Sequence, residues 1–70
     1  MKRLLLVNDY SYGYDKPSVT QIVIENICTI NHYYNHSNDR FYYEIRFGAN
    51  HVVTVDEDTY KLIEQYFTNV

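Results

Sequence analysis

The chain has a single cysteine, a single proline and two glycines among its 70 residues, and each scarcity removes an explanation. Cys28 has no partner for a disulfide within its own chain. A secreted domain of this length is normally held by cysteine pairs, so the lone thiol points to a reducing, cytoplasmic setting. A chain this small buries only about 60% of its unfolded surface. With disulfides excluded, stability must come from a metal, from oligomerisation or from unusually large apolar side chains. Long hydrophobic runs are missing as well: Leu4–Val7, behind Lys2 and Arg3, is too short for a signal-peptide core or a membrane span. Basic runs are equally absent. The formal net charge is −3 and no segment tracks a phosphate backbone, which disfavours direct, sequence-independent nucleic-acid binding.

What the chain has in abundance is tyrosine, with nine tyrosines beside three phenylalanines. A tyrosine buries its ring while leaving a hydroxyl for water or a partner, so the bias suits a thin core or a binding surface equally. The charge is unevenly placed. From Asp56 to the C-terminus the acids Asp56, Glu57, Asp58 and Glu64 face Lys61 alone, whereas the preceding residues balance.

Periodicity indicates one α+β domain spanning residues 1–70, with no internal repeats. Arg3–Val7 reads as a strand. Asp9–Ser18, with Gly13 and Pro17 as breakers, reads as a loop. Val19–Tyr34 carries a helical stripe (Val19, Ile22, Val23, Ile27, Ile30) with a Ser18/Gln21 capping box, but its density of β-branched residues favours a strand. Asn35–Asp39 turns the chain. Arg40–Phe47 then alternates with period two, setting Phe41, Tyr43, Ile45 and Phe47 against Arg40, Tyr42, Glu44 and Arg46. After a turn at Gly48–Asn50, His51–Val55 is a further strand. The last element is a helix capped by Asp56, its apolar face made by Tyr60, Ile63, Tyr66 and Phe67. The expected fold is a small antiparallel sheet, an N-terminal strand plus a three-stranded meander, covered on one face by the C-terminal helix. Its inner face would hold Ile22, Ile24, Cys28, Ile30, Phe41, Tyr43, Ile45, Phe47, Val53 and Val55. Its outer face would expose Val23, Ile27 and Tyr42, a surface suited to a homodimer.

Three constellations bear on function. His32, His36 and Asp39 are metal-ligand types around one turn, with Cys28 upstream and His51 downstream in the next strand, but they lack the second close ligand pair of known zinc signatures, so no metal and no cofactor is assigned. Cys28 with His32 or His51 could form a thiol–imidazole pair, yet a thiol on an inner face is inert. No nucleophile elbow, phosphate loop or zincin motif is present, so no catalytic residue is assigned either. Tyr10, Tyr12 and Tyr14 alternate with Ser11 and Gly13. In an extended segment their rings project to one side, in the composition of antibody-like contact loops; the alternative is that they form a lid over the sheet. Asp56, Glu57 and Asp58 form an acidic patch that complements a helix N-terminus and could speed encounter with a basic groove.

The segment Ser18-Val19-Thr20-Gln21-Ile22-Val23-Ile24, followed by a hairpin and a helix with an acidic start, resembles part of the small phage anti-CRISPR proteins that block a CRISPR effector nuclease by mimicking DNA. The resemblance covers about half the chain and does not extend to the strongly acidic extension of such mimics. It implies a class: small inhibitors acting stoichiometrically through surface contacts. The expected function is a non-catalytic protein-binding module, an inhibitor of a host defence or nucleic-acid enzyme such as a nuclease. Tyr10, Tyr12, Tyr14, Asp56, Glu57 and Asp58 would be its contact residues. The competing expectations are a self-associating homodimer and a single-stranded nucleic-acid binder that stacks bases on tyrosines.

Overall fold

A computed structural model describes residues 2–68. In chain order it contains β1 (Leu4–Asp9), β2 (Ser18–Val23), a single 3-10 turn (Ile24–Asn26), β3 (Thr29–Asn35), β4 (Arg40–Arg46), β5 (Val52–Val55) and α1 (Glu57–Thr68). The class is α+β. A two-stranded antiparallel sheet, β1–β2, stands beside a three-stranded antiparallel sheet in the order β3-β4-β5, with α1 packed against β4.

The segment expected as one strand from Val19 to Tyr34 is two strands in different sheets. Its first part pairs with β1, Ile22 opposite Leu5 and Val19 opposite Asn8. Its second pairs with β4, Ile30 opposite Ile45 and Tyr33 opposite Tyr42. A chain that changes sheets must leave the ladder between them, and the 3-10 turn does this with a bond from Ile27 N to Ile24 O at 3.2 Å. Arg3 holds the turn in place. Its carbonyl accepts from Ile24 N at 2.9 Å, while its backbone N and its Nε each donate to the Glu25 carboxylate at 2.6 Å. Those bonds hold the Glu25 carboxyl below the usual carboxylate range, the backbone bond contributing most. Cys28 N then bonds to Arg46 O at 2.8 Å and opens the second ladder.

This switch carries Ile24 into the core and leaves Cys28 outside it. The buried cluster is Val7, Ile22, Ile24, Ile45, Val53, Val55, Tyr60 and Ile63, with Leu5, Ile27, Ile30, Tyr43 and Phe47 packed around it. Each sheet, the turn and the helix contribute to that one cluster. The expected inner face holds except at two positions. Cys28 is exposed, because it sits in the connection after the turn and not on a strand face. Phe41 is 53% exposed, because β5 pairs with β4 only from Tyr43 to Arg46, so the start of β4 projects beyond the layer that α1 and β5 cover. The three residues expected on the outer face do not form one patch: Val23 lies on β2, Ile27 packs against the core, and Tyr42 is covered by other tyrosines. On α1, Tyr60 and Ile63 are buried, while Tyr66 and Phe67 stay partly exposed. The Arg3 guanidinium lies 4.6 Å from the Tyr66 ring centroid and fastens the helix to the start of β1.

The two sheets meet where β1 ends. Tyr10 N donates to Thr54 O at 2.8 Å, and Thr54 N donates to Asp9 Oδ1 at 3.2 Å. The same Oδ1 accepts from Ser11 N at 3.0 Å, so one carboxylate oxygen serves both the β5 edge and the turn that follows β1. Thr54 is buried, so removing Asp9 leaves its amide short of a partner in a largely dry position. Replacing Asp9 with alanine is therefore expected to cost about 1–3 kcal/mol, the penalty of a stranded buried amide. Asp9→Asn, which keeps the acceptor oxygen, is expected to lose clearly less. Urea denaturation of the two variants checks the order, and equal losses would remove the side-chain bond as the cause.

Candidate functional site

The loop from Tyr10 to Lys16 is a tight turn, not an extended segment. Gly13 N donates to Tyr10 O at 3.0 Å, closing a four-residue turn, and Lys16 N donates to Gly13 O at 3.2 Å. Gly13 has φ of +133°, a conformation that a residue with a Cβ rarely adopts, so the backbone here favours glycine. The three tyrosines consequently part company. Tyr10 and Tyr14 fold back and stack on each other, with ring centroids 5.2 Å apart and planes 20° apart. Tyr12 is left 82% exposed at the tip.

Tyr10 and Tyr14 are the start of an aromatic ladder across the outer face of the second sheet. Tyr14 lies 5.7 Å from Tyr42 of β4, and Tyr42 stacks on Tyr33 of β3 at 5.4 Å, as their direct pairing in the ladder requires. The Arg40 guanidinium covers Tyr14 at 4.1 Å. The Tyr42 hydroxyl accepts from Asn38 Nδ2 in the hairpin turn, and the Tyr33 hydroxyl donates to Glu44 at 3.3 Å. The Tyr14 hydroxyl is buried with no hydrogen-bond partner among the described residues. Two of the three loop tyrosines thus form a lid, and one is presented to solvent.

The opposite face of the same hairpin end carries Tyr34 and Phe41, edge-to-face at 5.0 Å, with His36 against Tyr34 at 4.9 Å. Strand alternation identified Phe41 correctly as sharing a face with Tyr43 and Ile45. It could not reveal that this face runs out from under the helix. Pattern reading also passed over Tyr33, Tyr34 and Arg40, although the adjacent pair Tyr33-Tyr34 on one strand dictates aromatic groups on both faces.

The three acids at the start of α1 have separate fates. Asp56 caps the helix, its Oδ1 accepting from Thr59 N at 2.7 Å. Glu57 pairs with Lys61 one turn on, at 3.1 Å, and raises the Lys61 pKa by doing so. Asp58 makes no bond or ion pair among the described residues and is exposed. The bond from Tyr10 N to Thr54 O sets the tyrosine loop beside the end of β5, and Asp56 follows that strand directly. Loop, hairpin end and helix start therefore share one end of the molecule.

The metal-ligand residue types are dispersed. His32 stacks on Tyr43 at 6.1 Å and its Nδ1 lies 3.3 Å from the Tyr60 hydroxyl. His36 sits on Tyr34, His51 lies 5.4 Å from Phe47, and Cys28 stands apart from all three. Among the described residues no three His, Cys, Asp or Glu side chains converge on a point that could hold a metal. No described helix is long and apolar enough to cross a membrane. The fold and this surface together define a small α+β domain with an aromatic end, and the chain matches no known protein family, no curated protein and no solved structure.

Burial raises the pKa of Tyr14, Tyr33 and Tyr60, with further lifts from Tyr42, Glu44 and Glu64 respectively. For Tyr14 the Arg40 charge opposes the rise without cancelling it. A folded pKa above the unfolded value, which is about 10, favours the folded state while the phenol is neutral. The contribution is complete below that pH and is lost as pH rises through the folded values. Tyr14, Tyr33 and Tyr60 are thus expected to ionise above the ordinary tyrosine range in an absorbance titration, together with loss of structure. One homogeneous transition in a still-folded protein would contradict the packing of the ladder.

Proposed function

We propose that this chain is a small non-catalytic protein-binding module whose contact surface is the aromatic end of the molecule. The observation that carries the reading is Tyr12: its ring is 82% exposed at the tip of a turn that Asp9, Gly13 and the stacked rings of Tyr10 and Tyr14 hold in place. An exposed aromatic on a pre-ordered loop loses little conformational freedom when a partner covers it, which is why tyrosine concentrates at contact hot spots. Phe41, exposed on the other face of the hairpin end, adds apolar area, and Asp58 adds a charge free to meet a basic partner. Tyr10 and Tyr14 support the surface without forming it, and Asp56 and Glu57 serve the helix.

The narrower reading, a stoichiometric inhibitor of a host defence or nucleic-acid enzyme acting in the cytoplasm, rests on the resemblance of Ser18–Ile24 to anti-CRISPR proteins. The acidic helix start supports it weakly, since two of its three carboxylates are already engaged. A stacking role toward single-stranded nucleic acid is less well supported: the outer-face rings stack on each other, and the net charge opposes a phosphate backbone.

Tyr12→Ala is expected to leave thermal stability within about 0.5 kcal/mol of the parent, as for an exposed residue, while weakening partner binding at least about tenfold, as for a hot spot. Tyr14→Ala, which opens the ladder, is expected to lower stability. Tagged parent and Tyr12→Ala proteins, passed through lysate of cells that carry the gene, provide the test. A protein retained in stoichiometric amount by the parent and lost with Tyr12→Ala supports the reading; equal retention by both removes Tyr12 from it.

A further inference from the structure

We infer that the outer edge of β3 is a self-pairing surface, and that two copies of this chain join there, β3 to β3 and antiparallel, into one continuous six-stranded sheet. Strand β3 is terminal in its sheet. Its backbone bonds run to β4, and among the described residues no other backbone or side-chain group reaches its outward amides and carbonyls. It is seven residues long, Thr-Ile-Asn-His-Tyr-Tyr-Asn, with none of the devices that normally blunt an edge: no lysine, no proline, no inward charge, no extreme shortness. Of the remaining terminal strands, β5 meets the end of β1 through Tyr10 and Thr54, and β2 differs from β3. Lys16 and Pro17 precede β2, and Phe47 and His51 line a recess of about 200 Å³ against it.

The sequence of β3 indicates a second copy as the occupant. A two-fold axis perpendicular to the sheet at His32 sets Thr29 opposite Asn35 of the second copy, Ile30 opposite Tyr34, and Asn31 opposite Tyr33. Residues paired in this way keep their faces, so both helices fall on the same side of the joined sheet. Strand β3 holds no carboxylate, ammonium or guanidinium, and the one residue that faces its own equivalent, on the axis, is His32. On the helix side the pairing places an aliphatic group against a ring that is now 37% exposed, a favourable cross-strand combination. This edge is distinct from the loop that carries Tyr12, so loss of self-pairing and loss of partner capture are separable results.

Light scattering behind size exclusion, over a concentration series, tests the inference. The parent is expected to show twice the chain mass at the upper concentrations. The double variant Asn31→Lys, Tyr33→Lys sets like charges directly opposite each other twice across the two-fold axis. It is expected to run as a monomer while circular dichroism shows the parental fold. Gln21→Lys, the matching change on β2, is expected to remain dimeric. A parent that stays monomeric throughout overturns the proposal and leaves the edge to a strand from another protein. A double variant that still dimerises, or a Gln21→Lys variant that does not, overturns it as well. Should the double variant fail to fold, Asn31→Lys alone, at a position exposed in the monomer, is expected to raise the dissociation constant at least about tenfold; an unchanged constant overturns the proposal.

Discussion

The carboxylate of Asp9 is where this structure is tied together. Of the two sheets, of two and three strands, the two-stranded one is too small to stand alone, since an isolated hairpin is marginal in water. They become one body because β1 runs out against β5, with Thr54 giving its amide to Asp9 and its carbonyl to Tyr10. That junction brings Val7 and Ile22 over Ile45, Val53 and Val55, and α1 closes the cluster with Tyr60 and Ile63. Arg3 performs a comparable task at the opposite end of β1, where it grips the 3-10 turn through Glu25 and the helix through Tyr66. Strand β1 is thus pinned at both ends by one charged side chain each.

The same junction arranges the surface. Asp9 also receives Ser11 N, so the bend that starts the tyrosine loop and the contact that joins the sheets share an acceptor. From that bend, Gly13 turns Tyr14 back onto Tyr42, and the ladder continues to Tyr33. The rings cover a sheet face that the single helix leaves open. In a chain without disulfides, stacked aromatics and an Arg40 cap supply part of the burial that a larger core would provide. Only after those rings are committed does Tyr12 stand out as a group with no structural employment. Proposed contact and observed scaffold are therefore adjacent residues with opposite roles.

A resemblance spread over Ser18–Ile24 acquires a different meaning once the fold is known. Those residues form β2 and enter the 3-10 turn, so they are scaffold: Ile22 and Ile24 are buried, and Ser18 pairs with Asp9 across the ladder. A β-branched run of this kind is what any strand that pairs on one side and packs on the other requires. The functional comparison it suggests therefore rests on the class of small surface-acting proteins, and the contact surface we propose lies elsewhere in the chain, at Tyr12, Phe41 and Asp58.

By itself the sequence determined the local elements: the alternation that makes β4, the acids and apolar stripe that make α1, the turn chemistry at Asn35–Asp39 and Gly48–Asn50, and the α+β class. These depend on contacts within a few residues, where propensity and period dominate. Only the tertiary structure decided which strand pairs with which. The run from Val19 to Tyr34 looks uniform in β propensity, yet it is divided at Ile24 because Arg3 and Glu25, distant in sequence, meet there. It also decided that Cys28 and Phe41 lie outside the core, and that Tyr10 and Tyr14 are lid while Tyr12 is surface. Register, sheet switching and the reach of a covering helix are set by long-range hydrogen bonds and by which layer ends first, and neither is encoded in the period of any one segment.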